Sequence, residues 1–181
     1  MRSADADILI VAGLNGSGED HWQTRWRLKL PHARLVEQAN WDVPQRALWV
    51  GALVDAVAAA RRPVVLVAHS LGVTTVAHAA PMLTGADIRG AFLVAPPSDR
   101  ALAAAAGDEW APTPGQPLPF PSMLVASRSD PFGPHSFAEE KALQWGSQLV
   151  DAGEAGHINA ESGHGPWPEG LVRFAGFLRG L

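Results

Sequence analysis

Ser70 stands in the segment Ala68-His69-Ser70-Leu71-Gly72, where an apolar, β-branched run ends and a helical pattern begins. That is the setting of the nucleophile elbow, G-x-S-x-G, in which a serine sits on a sharp strand-to-helix turn with its hydroxyl exposed. The turn is strained and its backbone crosses close to a neighbouring strand, so small residues are needed on both sides. Gly72 meets the requirement, and Ala68 replaces the usual first glycine at the cost of one methyl group. A serine at such a junction also serves as a plain helix N-cap, which is the bland alternative. For chemistry, the hydroxyl is too weak a nucleophile at neutral pH and needs a base, itself oriented by a third group.

In an elbow of this kind the acid and then the histidine follow the serine along the chain, each on a loop after a later strand. Asp130, in Ser129-Asp130-Pro131-Phe132, follows the apolar run 123–127 and has the position of the orienting carboxylate. An aspartate before proline also simply opens turns. His157, in Gly156-His157-Ile158-Asn159, follows the last strand-like run and is the expected base, with His164 between Gly163 and Gly165 as its rival. His69, beside the serine, is expected to point elsewhere on the sharp turn, and His21, His32, His78 and His135 read as surface, capping or packing residues.

Acyl transfer further requires N–H donors aimed at the developing oxyanion. The N–H of Leu71, the residue after the serine, is one; the second is expected from Gly13-Leu14-Asn15-Gly16, with Leu14 the first choice and Asn15 the second. The same glycine-rich stretch has neither the spacing nor the Lys and Ser/Thr of a nucleotide-phosphate loop. Seven Trp and no Tyr make a lopsided aromatic set, and Trp22, Trp41, Trp110 and Trp167 fall near loops at the expected catalytic edge. They are candidates for a substrate pocket, and each is equally a residue that covers core. No His pairs with Asp or Glu at metal-ligand spacing, so neither a metal nor a cofactor is expected.

These residues need a frame. Continuous apolar runs at 8–12, 63–68, 90–95 and 123–127, with weaker ones at 34–37 and 147–150, read as strands buried on both faces. Helical patterns occupy 20–30, 44–61, 71–83, 135–145 and 168–181 between them. The alternation predicts an α/β fold: an open, mostly parallel sheet of about six strands with helices on both faces, in a single domain spanning 1–181. Residues 96–121 break the rhythm with Pro96, Pro97, Pro112, Pro114, Pro117, Pro119 and Pro121, leaving room for a helical turn or two at 100–106. A loop of that length is expected to help shape the substrate pocket.

Composition narrows the function. Hydrophobic residues at 47% and charged residues at 18% place the chain among folded proteins. A net charge of -4 with no basic block argues against nucleic acid. The absence of cysteine removes disulfides, thiolate metal sites and thiol nucleophiles. The apolar run 8–12 is too short, and its flank too acidic, for a secretory signal, and no stretch reaches the roughly 20 residues of a membrane span. A cytoplasmic protein is expected, acting on a small ester or amide without a membrane or nucleic-acid partner; its oligomeric state is left open.

Taken together, Gly13-Leu14-Asn15-Gly16-Ser17 with His21-Trp22, Asn40-Trp41-Asp42, His69-Ser70-Leu71-Gly72, Ser129-Asp130-Pro131, Gly156-His157-Ile158-Asn159 and Gly165-Pro166-Trp167-Pro168 resemble the small serine hydrolases related to retinoblastoma-binding protein nine, whose bacterial relatives are called YdeN-like. The resemblance runs from Ile8 to the final helix. It implies a compact α/β-hydrolase without a large cap domain, with Ser70, Asp130 and His157 as its triad, and an activity on esters or, as in an animal relative, of aminopeptidase type. That relative's retinoblastoma-protein-binding segment is not recognisable here. The rival from another class is a non-catalytic binding module on the same fold.

Overall fold

Apolar runs that do not alternate must be covered on both faces, and the strands they form are. In the computed structural model, which describes all of Met1–Leu181, every residue of β1 (Asp7–Val11), β3 (Val64–His69) and β5 (Ser122–Ala126) is buried. With β2 (Ala33–Leu35), β4 (Ile88–Val94) and β6 (Gln148–Asp151) they make one six-stranded sheet in the order β2-β1-β3-β4-β5-β6. Every neighbouring pair is parallel, so the sheet is wholly rather than mostly parallel. The two weakest runs are the two edge strands, short and only half-covered.

The two-residue period of a strand sorts the core into two layers. Ile8, Ile10, Val65, Val67, Phe92, Val94 and Val125 pack beneath α1 (Trp22–Lys29) and α6 (Pro168–Gly180). Leu9, Val11, Leu66, Ala68, Leu93 and Leu124 pack beneath α2 (Arg46–Ala58), α3 (Leu71–Ala79) and α5 (His135–Trp145). Each fully buried Leu or Ile contributes about 1.5–3 kcal/mol. The expected helix 71–83 gives way at Ala79 to a 3-10 turn, Ala80–Leu83, because Pro81 has no N–H to continue the ladder.

Winding reverses between β1 and β3, since β2 lies outside β1 while β3 to β6 follow on its other side. Such a reversal opens a crevice at the carboxyl ends of the two strands, the usual place for a ligand in this architecture. Residues 12–21 and Ser70 leave the sheet there. The connection from β4 to β5 carries a short α4 (Asp99–Ala105) and a 3-10 turn at Asp108–Trp110, and no separate cap domain is inserted. No helix is long and apolar enough to cross a membrane.

Candidate active site

Ser70 joins β3 to α3 in a conformation of φ 54° and ψ -125°, which a residue with a side chain rarely adopts. Its N–H donates to the Val94 carbonyl at 3.0 Å, and its side chain makes no capping bond to α3. The N-cap alternative therefore fails. Tight crossing of the neighbouring strand explains the small residues: a Cβ on Gly72 would lie 2.2 Å from the Val11 carbonyl oxygen, and one on Gly13 2.9 Å from the Ser70 Cβ. Ala68 fits without strain because its methyl group points into the core layer under α2 and α3.

His157 lies on the loop after β6, with its Nε2 2.9 Å from Ser70 Oγ and its Nδ1 2.9 and 2.8 Å from the two Asp130 oxygens. A carboxylate only accepts, so Nδ1 carries the proton and Nε2 offers its lone pair to the Ser70 hydroxyl. The Asp130 side chain is 2% exposed and that of His157 9%. Asp130 also accepts the Phe132 N–H at 2.9 Å, so it both closes the turn before Pro131 and holds the imidazole. His164 is not at the serine; it is paired with Ser162 Oγ at 3.1 Å and packs beside Trp167.

Side-chain hydrogen bonds lace the Asp130 loop to the His157 loop. Ser127 Oγ accepts the Ala155 N–H at 2.9 Å and donates to the Gly153 carbonyl at 3.2 Å, while Ser129 Oγ accepts the Gly156 N–H at 3.0 Å. On the other side of the serine, the Leu71 and Leu14 N–H groups border the cleft and meet no protein acceptor. Asn15, the second choice for that donor, is corrected. Its backbone at φ 62° turns the N–H away, onto the Trp41 carbonyl at 2.9 Å.

The cleft above Ser70 has a volume of about 570 Å³, a size that suits a small organic substrate. Its lining includes the apolar Leu14, Leu102, Ala105 and Phe132 and the polar Glu19, Asp20, His21 and Glu161. His21 caps α1 by accepting the Gln23 N–H on Nδ1 at 3.2 Å. Burial and then the nearby His157 lower its pKa from 6.5 to about 4, so it is neutral near pH 7. His69 is pushed well below its ordinary range by burial, with His21 and His157 adding to the effect. No group of three or more His, Cys, Asp or Glu is placed to hold a metal ion.

Residues 8–176 match the family model described as serine hydrolase. The chain belongs to the serine hydrolase family. A protein called a YdeN-like hydrolase, from Pectobacterium atrosepticum, is 35% identical over 97% of this chain and 91% of its own, with a TM-score of 0.87. The ydeN product of Bacillus subtilis is 19% identical, with a TM-score of 0.76 over 96% of this chain and 99% of its own. Esterase 2 of Thermogutta terrifontis is 16% identical, with a TM-score of 0.68 over 98% of this chain and 85% of its own. These last two likenesses carry the α/β-hydrolase fold. No curated protein matches the chain in sequence.

In this serine hydrolase the four expected pocket tryptophans do not line the cleft. Trp22, Trp110 and Trp167 are buried, and Trp41 is half-buried against Trp49, with Gly16 on the face of its own ring. Trp22 and Trp167 pack with Trp26 and Phe92 beneath the sheet, while Trp110 fills the wall under the cleft with Leu71 and Leu102. A large flat ring gains most where it is covered on both faces, and these positions offer that. Of the proline-rich stretch, only the first part borders the cleft, through Pro97, Ala101, Leu102, Ala105 and Ala106. Beyond Pro112 it turns away, pinned by Lys141 Nζ to the Thr113 carbonyl at 3.0 Å and Trp145 Nε1 to the Pro114 carbonyl at 2.8 Å.

Gln23 escaped the sequence reading. Its Nε2 donates to the Val11 and Val67 carbonyls at 3.2 and 3.1 Å, and its Oε1 accepts from Ser17 Oγ at 2.7 Å. It serves the carbonyls left where β1 and β3 diverge and ties the Leu14 loop to α1. A lone glutamine in a helical pattern gives no sign of this in sequence.

Proposed function

We propose that this serine hydrolase, a single domain over 1–181 acting in the cytoplasm, cleaves small carboxylic esters through an acyl-serine intermediate. The observation that carries the reading is the unbroken chain from Asp130 through His157 to Ser70 Oγ, with 2.9 Å at its last step. Ser70 Oγ attacks the ester carbonyl carbon as its proton passes to His157 Nε2, and Asp130 holds the imidazolium that forms. The oxyanion of the tetrahedral intermediate meets the Leu71 and Leu14 N–H groups. Each such donor is typically worth about 10²–10³ in turnover. Collapse expels the alcohol, which takes the proton from His157; water then attacks the acyl-serine with His157 again as base and frees the acid.

The apolar lining residues Leu14, Leu102, Ala105 and Phe132 suit a short acyl chain, and the shared fold of a known esterase favours ester over amide. Cleavage of aminoacyl esters or amides is the second reading, favoured by Glu19, Asp20 and Glu161 in the cleft lining, which would pair with a protonated amine. A non-catalytic binding role fits less well with a complete, connected triad. The test is intact-mass labelling with a fluorophosphonate, followed by peptide mapping. One adduct on Ser70, absent in Ser70→Ala, is expected, with p-nitrophenyl acetate turned over faster than aminoacyl p-nitroanilides. No adduct on folded wild-type protein would overturn the reading, and faster anilide turnover would select the second one.

A further inference from the structure

His69 and Trp22 stand outside the Asp130–His157–Ser70 chain, yet each donates one buried hydrogen bond to the loop that carries the imidazole. His69 Nε2–H donates to the His157 carbonyl and Trp22 Nε1–H to the Ile158 carbonyl, both at 2.9 Å. Two successive carbonyls are thus held from two different elements, the end of β3 and the first turn of α1. The loop has little else of its own to hold it. Ile158 is in the left-handed region at φ 48°, unusual for a β-branched residue, and the sole backbone–backbone bond within 155–158 is Ile158 N–H to the Ala155 carbonyl at 3.2 Å.

We propose that His69 and Trp22 form a clamp that positions His157 for proton abstraction from Ser70, a role that rests on the reading of His157 as the base. They are positioning residues and touch no reacting atom. Asp130 fixes the ring of His157, whereas the clamp fixes its main chain, and neither does the work of the other. His69 is covalently joined to Ser70, so any shift at the end of β3 moves the nucleophile and the support of its base together. Its ring packs 4.9 Å from that of His157, and burial keeps it a neutral donor. Trp22 is wedged against Trp167 with ring centroids 5.0 Å apart, which leaves its N–H little freedom to turn elsewhere.

The effect sought is kinetic. A displacement of the base by about 1 Å costs on the order of 10² in rate while leaving substrate binding largely untouched. Trp22→Phe keeps most of the ring packing and deletes the donor; His69→Leu deletes the other donor, and His69→Gln restores one. Each is compared with wild type for the rate of fluorophosphonate labelling and for kcat and KM on p-nitrophenyl acetate, at matched near-UV circular dichroism. Labelling and kcat are expected to fall about 10-fold in Trp22→Phe and about 10²-fold in His69→Leu, with KM within about 2-fold and partial recovery in His69→Gln. If His69→Leu does not fold, Trp22→Phe and His69→Gln decide. Wild-type labelling rates in folded Trp22→Phe and His69 variants, even with lower melting temperatures, would overturn the clamp and leave the triad intact. An unlabelled wild type would instead overturn the assignment of the base, and the clamp with it.

Discussion

The turn that presents Ser70 and the loop that presents His157 meet at one hydrogen bond, but they are built in opposite ways. The elbow is a local object: a fully buried strand, one strained residue and a helix, all within residues 64–79. Its geometry is held by contact, since Gly72 passes the Val11 carbonyl with no room for a methyl group. The loop 152–158 has no repetitive structure and is held by donors and acceptors from remote parts of the chain, the Trp22 contact spanning 136 positions. Steric crowding places Ser70, and directional hydrogen bonds place His157. The first arrangement should fail abruptly and the second by degrees.

The most severe break is expected from Gly72→Ala. Its methyl group must displace the backbone of a central strand, which should destabilise the fold by about 3 kcal/mol or more. Urea denaturation would measure this, and a wild-type midpoint would show that the elbow is not sterically set.

Acidification acts on the other side. His21 and His69 are neutral in the folded protein, while in the unfolded chain each takes up a proton near its ordinary 6.5. Between that value and about 4 the unfolded state binds more protons, so stability falls as pH drops through this window. His21 alone accounts for a loss on the order of 2–3 kcal/mol by pH 4. Melting curves at stepped pH should show the loss, reduced in His21→Asn, whose amide still caps α1; an unchanged slope in that variant would contradict the assignment.

Removing one lace from the base loop tests gradual failure. Ser127→Ala leaves the buried Ala155 N–H without its acceptor and should cost about 1–3 kcal/mol. A several-fold drop in esterase turnover with Ser70 still labelled is the expected outcome, and abrupt loss of all labelling would erase the contrast between the two regions. The smallest effect belongs to Ala68→Gly, which restores the usual elbow residue. It should lower stability by about 0.5–1 kcal/mol through backbone entropy and leave kcat within about 2-fold; a marked gain in turnover would mean that the Ala68 methyl does strain the turn.

What was legible in the sequence follows the same division. All six strands and the helices between them were marked by their apolar patterns, with boundaries shifted by about two residues where His21 caps α1 and by about four where Pro81 ends α3. The elbow could be read because its requirements fall on neighbouring residues. The choice of Leu14 over Asn15 could not, because it depends on a left-handed turn that sends one N–H to Trp41. Nor could the tryptophans, since proximity to a loop in sequence does not say which face of the sheet a ring will cover.

By itself, then, the sequence determined the α/β architecture, the order of its elements and the local turn that strains Ser70, because hydrophobic periodicity and the small residues flanking the serine are written in neighbouring positions. Only the tertiary structure decided that His157 rather than His164 reaches the serine, that Trp22 and His69 hold the loop beneath it, and that Leu14 and Phe132 line one cleft with Glu19 and Glu161. Those outcomes depend on directional hydrogen bonds and burial between segments as far apart as Trp22 and Ile158, and such pairings exist only once the sheet has brought the ends of its strands together.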